Sequence, residues 1–440
     1  MKQAKSRSHS LSSRLPFKGA FLPLAMSLVE KGAEGFGYGR REAGGLVLAI
    51  EELFSFYARQ ATADSAIDVD LEDQGYRLAL TLTFRMANPD LRAFNLTWNC
   101  SLDSEESLEL LGPMLAARSV SSLRLDFGTD DQVVLRLARN RDYPPAADVP
   151  LPPGDLKSPL RLLEPSADDL RHFAAMAVAA GSPFLPGFLA RPGMAADMLA
   201  AGHIGALLIE QDSWIRGGVL WHPLTGSCLE LYGPYIFGPD ADAQGVTLLL
   251  DAAVARISRS PYRGLVRRQG VLAGFERFFD FLGELHLRRG DAAIRSTCYY
   301  RQLKEESSGT VYCAEPLASF LDKQYDRLCL PRQIRQAGSD PARLRDGSVL
   351  AVELEHERSL AILRPLCAGK DMAANLTAHL DMLRGEGIGN FLVELNTGRS
   401  EDTAFAAPLA ETGFVPRLVI PDAGQGDLVV YDHPEPEGRV

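Results

Sequence analysis

The sequence of 440 residues lacks the features that mark several common protein classes. No apolar run reaches the ~18 residues that a membrane-spanning helix requires. With 57 acidic and 46 basic residues the net charge is −11, which argues against general nucleic-acid binding, because attraction of phosphates requires positive fields. The six cysteines show no C-x-x-C spacing and the eight histidines no H-x-x-x-H spacing, so neither a disulfide framework nor a zinc site is predicted. We expect a cytoplasmic protein with reduced thiols that binds no metal, nucleic acid or membrane.

The N-terminus combines a basic, serine-rich stretch with an apolar one, "GAFLPLAMSLV". This is the order of a secretion signal, but no small-residue cleavage site follows it. We therefore expect residues 1–17 to be a disordered basic tail. The helix predicted after it places Phe21, Leu24, Leu28 and Val29 on one face.

A domain boundary is marked by "PPAADVPLPPGDLKSP", which carries six prolines in sixteen residues. Such density disfavours helices and sheet ladders and favours a stiff, extended chain. We therefore predict a linker at 143–158 and one domain before it, at 18–142.

The domain before the linker has an order of helices and strands that predicts an α+β sandwich. "AGGLVLAIEELFSFYARQA" has helical spacing, and "YRLALTLTFRM" alternates apolar and polar residues as half-buried strands do. "LAIEELFSFYARQA" resembles a helix of the GHKL ATP-binding fold, in particular of anti-sigma-factor kinases, and "LELLGPMLAARSVSSLRLDFGTDDQVVLRLAR" resembles that family's closing segment. The resemblance covers residues 18 to 141 and implies a nucleotide fold whose partner is a protein.

The polar residues that this family uses are largely missing. Glu52 matches its base, but Phe56 stands where an asparagine holds Mg²⁺, and a phenyl ring cannot ligate a hard cation. The adenine-reading Asp-x-Gly falls on Phe84-Arg85-Met86, and Gly112 alone remains of the glycines around the phosphate lid. We expect no ATP binding and interpret Glu52 as a solvated carboxylate.

The region after the linker contains a duplicated pattern, in which the last four elements of a first unit recur in a second. Leu265 in "RGLVRR" and Leu392 in "NFLVEL" lie 392 − 265 = 127 residues apart, and Gly283 and Gly413 lie 413 − 283 = 130 apart. A nearly constant offset indicates duplication. "FERFFDFLGELHL" is predicted to be a helix running into a strand, and "VYCAEPLASFLDKQYDRLCL" a helix.

Each unit, strand-helix-helix-strands-helix-strand-helix-strand, resembles the GNAT acyltransferase fold, with "FFDFLGE" and "APLAETGF" similar to that family's "LYexxGF" helix end. We therefore predict an α+β and α/β multidomain chain with GNAT-like domains at 159–305 and 306–438. The resemblance implies acetyl-CoA or another acyl-CoA as the ligand.

Two stretches are candidates for the loop that would bind the phosphates of such a ligand. "RGEGIG", residues 384–389, spells the family's Arg-x-x-Gly-x-Gly but leaves a helix and enters a strand, whereas a phosphate loop must open a helix. We predict a helix C-cap and turn there. The loop position in the first unit is "GPDADAQGVTLLL", where Asp240 replaces the expected Arg or Gln; Gly238, Gly245 and Val246 are the candidate cofactor-binding residues. In the second unit Lys370 could meet a phosphate or be solvated.

The catalytic candidates are Glu230 and Tyr232, two residues apart on the strand "CLELYGP" and hence on one face. The family's mechanism needs a base for the attacking amine and often a tyrosine to protonate the thiolate. That tyrosine position holds Phe279 in the first unit and Leu409 in the second. A solvent-facing Glu230 without catalytic role is the alternative.

A local basic stretch, "RISRSPYRGLVRRQ", contains five arginines and fits an acidic partner, CoA phosphates or a solvated edge. Two functions remain open. The first is a regulatory protein, related to anti-sigma factors, whose acyl-CoA-fold modules are weakly catalytic or inactive. The second is an N-acyltransferase with its active site in the first GNAT-like unit. The sequence does not predict the oligomeric state.

Overall fold

The computed structural model of the protein describes residues 9–97, 105–128, 130–154, 156–182, 185–238, 243–268, 276–290, 292–305, 308–337, 344–355 and 358–434, and for 105–110 the backbone alone. The chain forms two compact units. The first comprises Met1–Asp142 and Gly347–Glu353, and the second Tyr143–Asp346 and Leu354–Val440. Within the described residues, none of the helices has the length and apolar character needed to cross a membrane.

The first unit is a five-stranded antiparallel sheet with three helices. Its strands are β1 (His9–Pro16), β2 (Ala66–Asp73), β3 (Arg77–Arg85), β4 (Ser122–Phe127) and β5 (Gln132–Asn140), and its helices are α1 (Leu22–Gly35), α2 (Arg40–Ala58) and α3 (Glu105–Ser119). The sheet order is β1-β2-β3-β5-β4. Every second residue of β2 and β3 is buried, because alternate side chains point to one face. The predicted α+β class is confirmed here.

The prediction of a disordered tail at 1–17 is wrong for residues 9–16. They form β1, which pairs with all eight residues of β2 from His9 opposite Asp73 to Pro16 opposite Ala66. Leu15 is buried, and most of the other side chains of β1 are exposed. Backbone hydrogen bonds to β2 therefore hold β1 in place, although its sequence has too few apolar residues to predict a strand.

The segment Gly347–Glu353 is fixed within the first unit by one amide. The Asn95 side chain donates to the Ser348 carbonyl at 2.8 Å and accepts from the Leu350 N–H at 2.9 Å. An asparagine side chain can satisfy an acceptor and a donor of an extended segment at once.

The second unit begins with a first repeat built on a seven-stranded sheet. Its elements are β6 (Arg161–Leu163), α4 (Ala167–Ala179), α5 (Pro192–Ala200), β7 (Gly205–Gln211), β8 (Trp214–Pro223), β9 (Cys228–Ile236), α6 (Ala243–Ile257), β10 (Gly264–Arg267), β11 (Asp280–Arg289) and β12 (Ala292–Gln302). The sheet order is β11-β12-β10-β9-β8-β7-β6, and β9 and β10 run parallel. A capping box begins α4, in which the Ser166 hydroxyl accepts from the Asp169 N–H.

A second repeat follows. Its elements are β13 (Gly309–Cys313), α7 (Glu315–Leu328), β14 (Arg332–Gln336), β16 (Leu360–Cys367), α8 (Met372–Gly385), β17 (Asn390–Asn396), α9 (Ser400–Thr403), α10 (Ala406–Glu411), β18 (Val415–Ile420) and β19 (Leu428–Asp432). Between β14 and β16 the chain forms β15 (Val349–Glu355), of which the residues up to Glu353 belong to the first unit. Its sheet contains the order β16-β17-β19-β18, with β16 and β17 parallel. The first repeat has the same order in β9-β10-β12-β11 with the same directions, as duplication predicts.

The two repeats share a hydrophobic core. One cluster of buried side chains combines Val266, Leu282 and Tyr300 of the first repeat with Leu392 and Leu418 of the second. Leu265 and Leu392, the residues that gave the 127-residue offset, occupy corresponding strands, β10 and β17. Packing of one repeat on the other therefore removes apolar surface that neither could bury alone.

Two predicted helices are partly wrong. In "FERFFDFLGELHL" the strand β11 already begins at Asp280, and Leu282, Leu285 and Leu287 are buried. Gly283 has a φ of +151° beside a register shift, so the predicted helix end is an irregular strand. In "VYCAEPLASF" the strand β13 runs to Cys313, and α7 starts at Glu315 with a proline in its first turn.

Candidate functional site

The parallel strands β9 and β10 pair over only three positions, from Gly264 opposite Cys228 to Val266 opposite Glu230. Beyond them the strands separate, and the Arg267 side chain spans the gap by donating from Nε to the Gly233 carbonyl at 2.9 Å. Gly233 has a φ of +87°, which a residue with a Cβ adopts only with strain. The two catalytic candidates lie on β9 at this point of separation.

Glu230 is 3% exposed and forms a bidentate pair with Arg268. Arg268 donates from Nε to Oε1 at 2.9 Å and from a terminal nitrogen to Oε2 at 2.8 Å. Burial alone would raise the pKa of Glu230, but the guanidinium outweighs it and holds the pKa below its usual value. The structure therefore places Glu230 as a buried ion-pair partner, in contrast to the solvent-facing alternative.

Arg268 also reaches the second repeat. It donates to Glu394 Oε1 at 2.6 Å, and Arg364 donates to the other oxygen of Glu394 at 2.7 Å. Burial would raise the pKa of Glu394, but Arg364 and Arg268 together lower it to about 2. Glu230, Arg268, Glu394 and Arg364 thus form a chain of alternating charge, buried at the first three and partly exposed at Arg364, which we call the inter-repeat ion chain.

Tyr232 lies on the same face of β9 as Glu230, as predicted from the strand period. Its hydroxyl donates to Glu230 Oε2 at 3.1 Å, and its ring makes an edge-to-face contact with Phe188 at 5.4 Å between centroids. Burial, followed by the negative charge of Glu230, raises the pKa of Tyr232 well above its usual value. The phenol is therefore protonated at neutral pH and is a weaker acid than a solvated tyrosine.

Of the candidate phosphate-loop residues, Gly245 and Val246 lie in the first turn of α6. Both residues are buried; the N–H of Gly245 is one of those at the start of a helix that have no carbonyl partner within it, whereas Val246 is the fourth residue of the helix, where intrahelical bonding begins. A Cβ at Gly245 would lie 2.9 Å from Ile209 Cδ1, so glycine is required for helix and sheet to approach. Asp240 lies outside the described residues.

Gly238, the third candidate, follows β9 with a φ of +106°. Its Cα lies against the guanidinium of Arg216, because a Cβ built there would be 2.6 Å from an Arg216 terminal nitrogen. Arg216 is 7% exposed, and the same end of its side chain donates to the Pro153 carbonyl at 3.2 Å. Sequence reasoning missed Arg216, since one arginine on a strand carries no signal of burial.

In the corresponding loop of the second repeat, both the N–H and the ammonium of Lys370 have partners within the same repeat. The Lys370 N–H donates to the Arg345 carbonyl at 2.9 Å, and the Lys370 ammonium lies 2.7 Å from Asp346. Leu409 is fully buried, so its position supplies packing where the family has a tyrosine. Phe279 of the first repeat is 5% exposed and likewise packs in a core.

The stretch RGEGIG is a turn, as predicted. Helix α8 ends at Gly385, and Gly387 has a φ of +80°. The N–H of Ile388 donates to Leu383 O, and that of Gly387 to Arg384 O, which satisfies the last carbonyls of the helix. Its glycines therefore cap a helix and do not face a phosphate.

In the first unit the positions that would face a nucleotide are filled by aromatic packing. Phe56 and Phe84 are 4% and 3% exposed, and the Phe84 ring lies 5.2 Å from Phe17 and 5.1 Å from Tyr57. These rings occupy the core where the resemblance implies polar groups.

Glu52 lies against helix α3 in the same unit. A Cβ at Gly112 would be 2.3 Å from a Glu52 oxygen, so this glycine admits the carboxylate. Met86 is half-buried, and its N–H donates to the Asp131 carbonyl at 2.9 Å. A thioether at this position offers no strong acceptor to an adenine.

A further titratable group that the sequence did not indicate is Asp402 on α9. It is 5% exposed, and burial raises its pKa to about 7, although Arg399 lies 3.5 Å away. No group of three His, Cys, Asp or Glu side chains is arranged to hold a metal ion in the part of the chain that the structure describes.

No protein-family model matches the sequence, and no curated protein matches it. Solved structures similar to the chain are GNAT acetyltransferases that align with about a third of it. An N-acetyltransferase from Staphylococcus aureus Mu50 is 18% identical over 33% of this chain and 100% of its own, with a TM-score of 0.27. A GNAT family acetyltransferase from Brucella melitensis in complex with acetyl-CoA is 17% identical over 34% and 90%, with a TM-score of 0.25.

A GNAT family acetyltransferase from Bacillus cereus is 12% identical over 34% of this chain and 100% of its own, with a TM-score of 0.26. Identities below 25% concern the fold alone, and with TM-scores below 0.5 these structures carry no chemistry over to this chain.

Proposed function

We propose that this protein is a regulatory protein of the cytoplasm whose first repeat binds an acyl-CoA or a related thioester without transferring the acyl group at an enzymatic rate. The observation that carries this proposal is the bidentate pairing of Glu230 with Arg268. Both oxygens of this carboxylate, which lies at the strand separation, are engaged, and the pair is buried. A domain that keeps the framework of a ligand-binding fold but has no free general base can bind its ligand without catalysing a reaction on it.

The chemistry that would be lost is the deprotonation of an amine. A general base must be within hydrogen-bond reach of the proton it takes, with a pKa near the working pH. Glu230 is held by two charge-assisted hydrogen bonds and a third from Tyr232, and its pKa is lowered. To accept a proton it would have to give up part of its pairing with Arg268, which opposes the reaction.

For the first unit we propose a degenerate GHKL-like domain, residues 18–142, that binds a protein partner. Support comes from the order of its helices and strands and from the aromatic packing of Phe56 and Phe84. An unreactive domain of this kind can retain a partner-binding surface, because fold and chemistry are separable.

A second candidate function, N-acyl transfer in the first repeat, is favoured by Tyr232. Its hydroxyl is protonated and lies at the strand separation, and it would have to turn from Glu230 to reach a thiolate. This function requires Arg268 to release Glu230 when the acceptor binds.

The test is a pair of measurements on the purified full-length chain. In a thermal-shift assay with acetyl-CoA, CoA and ATP-Mg²⁺, we expect stabilisation by the first two and none by ATP; a ligand at 100 times its Kd adds about 2.7 kcal/mol. In a thiol-release assay with acetyl-CoA and a panel of primary amines, we expect no release above that of the Glu230→Gln variant. Amine-dependent release that the variant abolishes would establish the acyltransferase instead.

A further inference from the structure

The proline-rich segment predicted as a linker lies on the second unit and is anchored to it at both ends. At its start the Tyr143 hydroxyl donates to Asp197 at 2.7 Å, and the Tyr143 ring lies against Gly193. At its end Asp212 accepts from the N–H groups of Lys157 and Ser158 at 3.0 and 3.4 Å. We call residues 143–158 the strap; residue 155 lies outside the described residues.

Between these anchors the strap is held at one point. Of its described residues from 144 to 154, Pro153 makes a hydrogen bond to the rest of the unit, by accepting from Arg216 at 3.2 Å. Pro152 beside it is buried, whereas Pro150 and Leu151 are exposed. The prolines favour an extended chain without a hydrogen-bond ladder, so the middle of the strap can lift without breaking secondary structure.

The contact between Arg216 and Pro153 leaves the positive charge of the guanidinium without a negative partner, because a carbonyl carries no net charge. Arg216 is 7% exposed, and among the described residues no carboxylate pairs with its guanidinium. Burying a charge is costly unless it is paired, and a neutral carbonyl supplies only a dipole. A phosphate would bind the guanidinium more strongly, because it brings a full charge and two oxygens in matching geometry.

The position of Arg216 connects it to the candidate phosphate loop. Its head lies against Gly238, the residue from which the chain proceeds to the first turn of α6. Gly238 has a positive φ and no room for a side chain, so the backbone approaches the guanidinium as closely as it can.

We propose that Arg216 is an anion subsite of the first repeat and that the strap closes it, with the Pro153 carbonyl in the place of a phosphate oxygen. A ligand with a phosphate or pyrophosphate group competes with the carbonyl and lifts the middle of the strap. The proposal rests on the proposed function, since a CoA-type thioester is the ligand of that chemistry. Ligand binding thereby changes the position of the strap, which follows Asp142, the last residue of the first unit's main segment.

The experiment measures how fast a thiol in the strap is alkylated in the full chain. Pro152→Cys places the thiol at the buried position and Pro150→Cys, the matched control, at an exposed one; iodoacetamide labelling of each is read by mass spectrometry. We expect CoA or inorganic pyrophosphate to raise the labelling rate at 152 about tenfold or more. The rate at 150, and both rates with sodium chloride at equal ionic strength, should not change.

Substitutions of two arginines test whether Arg216 both holds the strap and mediates its response to the ligand. Arg216→Gln should label rapidly at 152 without ligand and should not respond to pyrophosphate, whereas Arg256→Gln, an exposed partner of Glu164, should behave as the parent. In the chain without a new cysteine, limited cleavage by proteinase K between Ala146 and Val149, in the middle of the strap, should increase with CoA. That measurement does not depend on whether the cysteine variants fold.

The outcomes distinguish the two proposals. If calorimetry shows CoA binding while labelling at 152 and cleavage between Ala146 and Val149 stay constant, the proposed lifting of the strap is wrong and the proposed function stands. If neither CoA nor pyrophosphate binds, both are wrong. If Arg216→Gln labels at 152 no faster than the parent, Arg216 does not hold the strap, and the proposal is overturned.

Discussion

Removal of Arg268 is the perturbation for which the structure predicts the largest effect. Its guanidinium makes two hydrogen bonds to Glu230 and one to Glu394, and all three side chains are at most 10% exposed. Arg268→Met keeps most of the aliphatic volume and leaves two buried carboxylates facing each other, with Arg364 as the ion-pair partner of Glu394 and the Tyr232 hydroxyl as a neutral partner of Glu230. Breaking a buried pair on one side costs about 3–5 kcal/mol, because the remaining charge is uncompensated.

The assay is urea unfolding at pH 7, followed by circular dichroism, for the parent and for Arg268→Met. The matched control is Arg256→Met, which removes an arginine from an exposed pair with Glu164 in the same repeat and should cost less than about 1 kcal/mol. A loss below about 1 kcal/mol for Arg268→Met would refute the reasoning, since it would mean that the inter-repeat ion chain is hydrated or unformed.

A double substitution identifies the cause of the loss. If the cost comes from an uncompensated Glu230, then Glu230→Gln added to Arg268→Met should recover part of it, because the neutral amide tolerates burial better than a carboxylate. Equal stabilities of the single and double variants would locate the cost in lost packing around the arginine stem.

Other residues give further tests. Gly387→Ala should cost about 1 kcal/mol, because its φ is +80°, whereas the neighbouring helical Gly385→Ala should be neutral or stabilising by up to about 1 kcal/mol; equal effects in urea unfolding would contradict the assigned C-cap. The folded pKa of Asp402 is raised from 3.8 to about 7, so the stability it contributes is present below pH 3.8 and lost as pH rises through 7. Asp402→Asn should therefore gain stability over the parent by about 1.4 kcal/mol per pH unit across that window, and a pH-independent difference would rule this out. Ser166→Ala should cost about 1 kcal/mol through loss of the cap bond to the Asp169 N–H, measured by the same unfolding assay.

Local patterns predicted much of the fold because they depend on neighbours in the sequence. The period of α6, the cap at Ser166 and the turn at Gly387 each follow from residues a few positions apart. The duplicated strand order was also predictable, since it repeats a pattern. Strand β1 was not, because its pairing with β2 draws on backbone groups that every sequence has.

The site was predictable only in part, for a related reason. That Glu230 and Tyr232 share a face follows from the strand period. Arg268 lies 38 residues from Glu230 in the sequence and 126 residues before Glu394. It binds both oxygens of Glu230 and also contacts Glu394, and these contacts follow from the packing of the two repeats. Within the basic stretch nothing local distinguishes buried Arg268 from exposed Arg256.

The most direct test of the account is an isothermal titration of the full-length chain with acetyl-CoA, in a buffer without phosphate. We expect one ligand per chain, because the first turn of α6 in the first repeat contains Gly245, whose N–H lacks an intrahelical partner, whereas the Lys370 N–H in the second repeat is already bonded to the Arg345 carbonyl. The absence of binding at millimolar ligand, or binding of two ligands per chain, would contradict it.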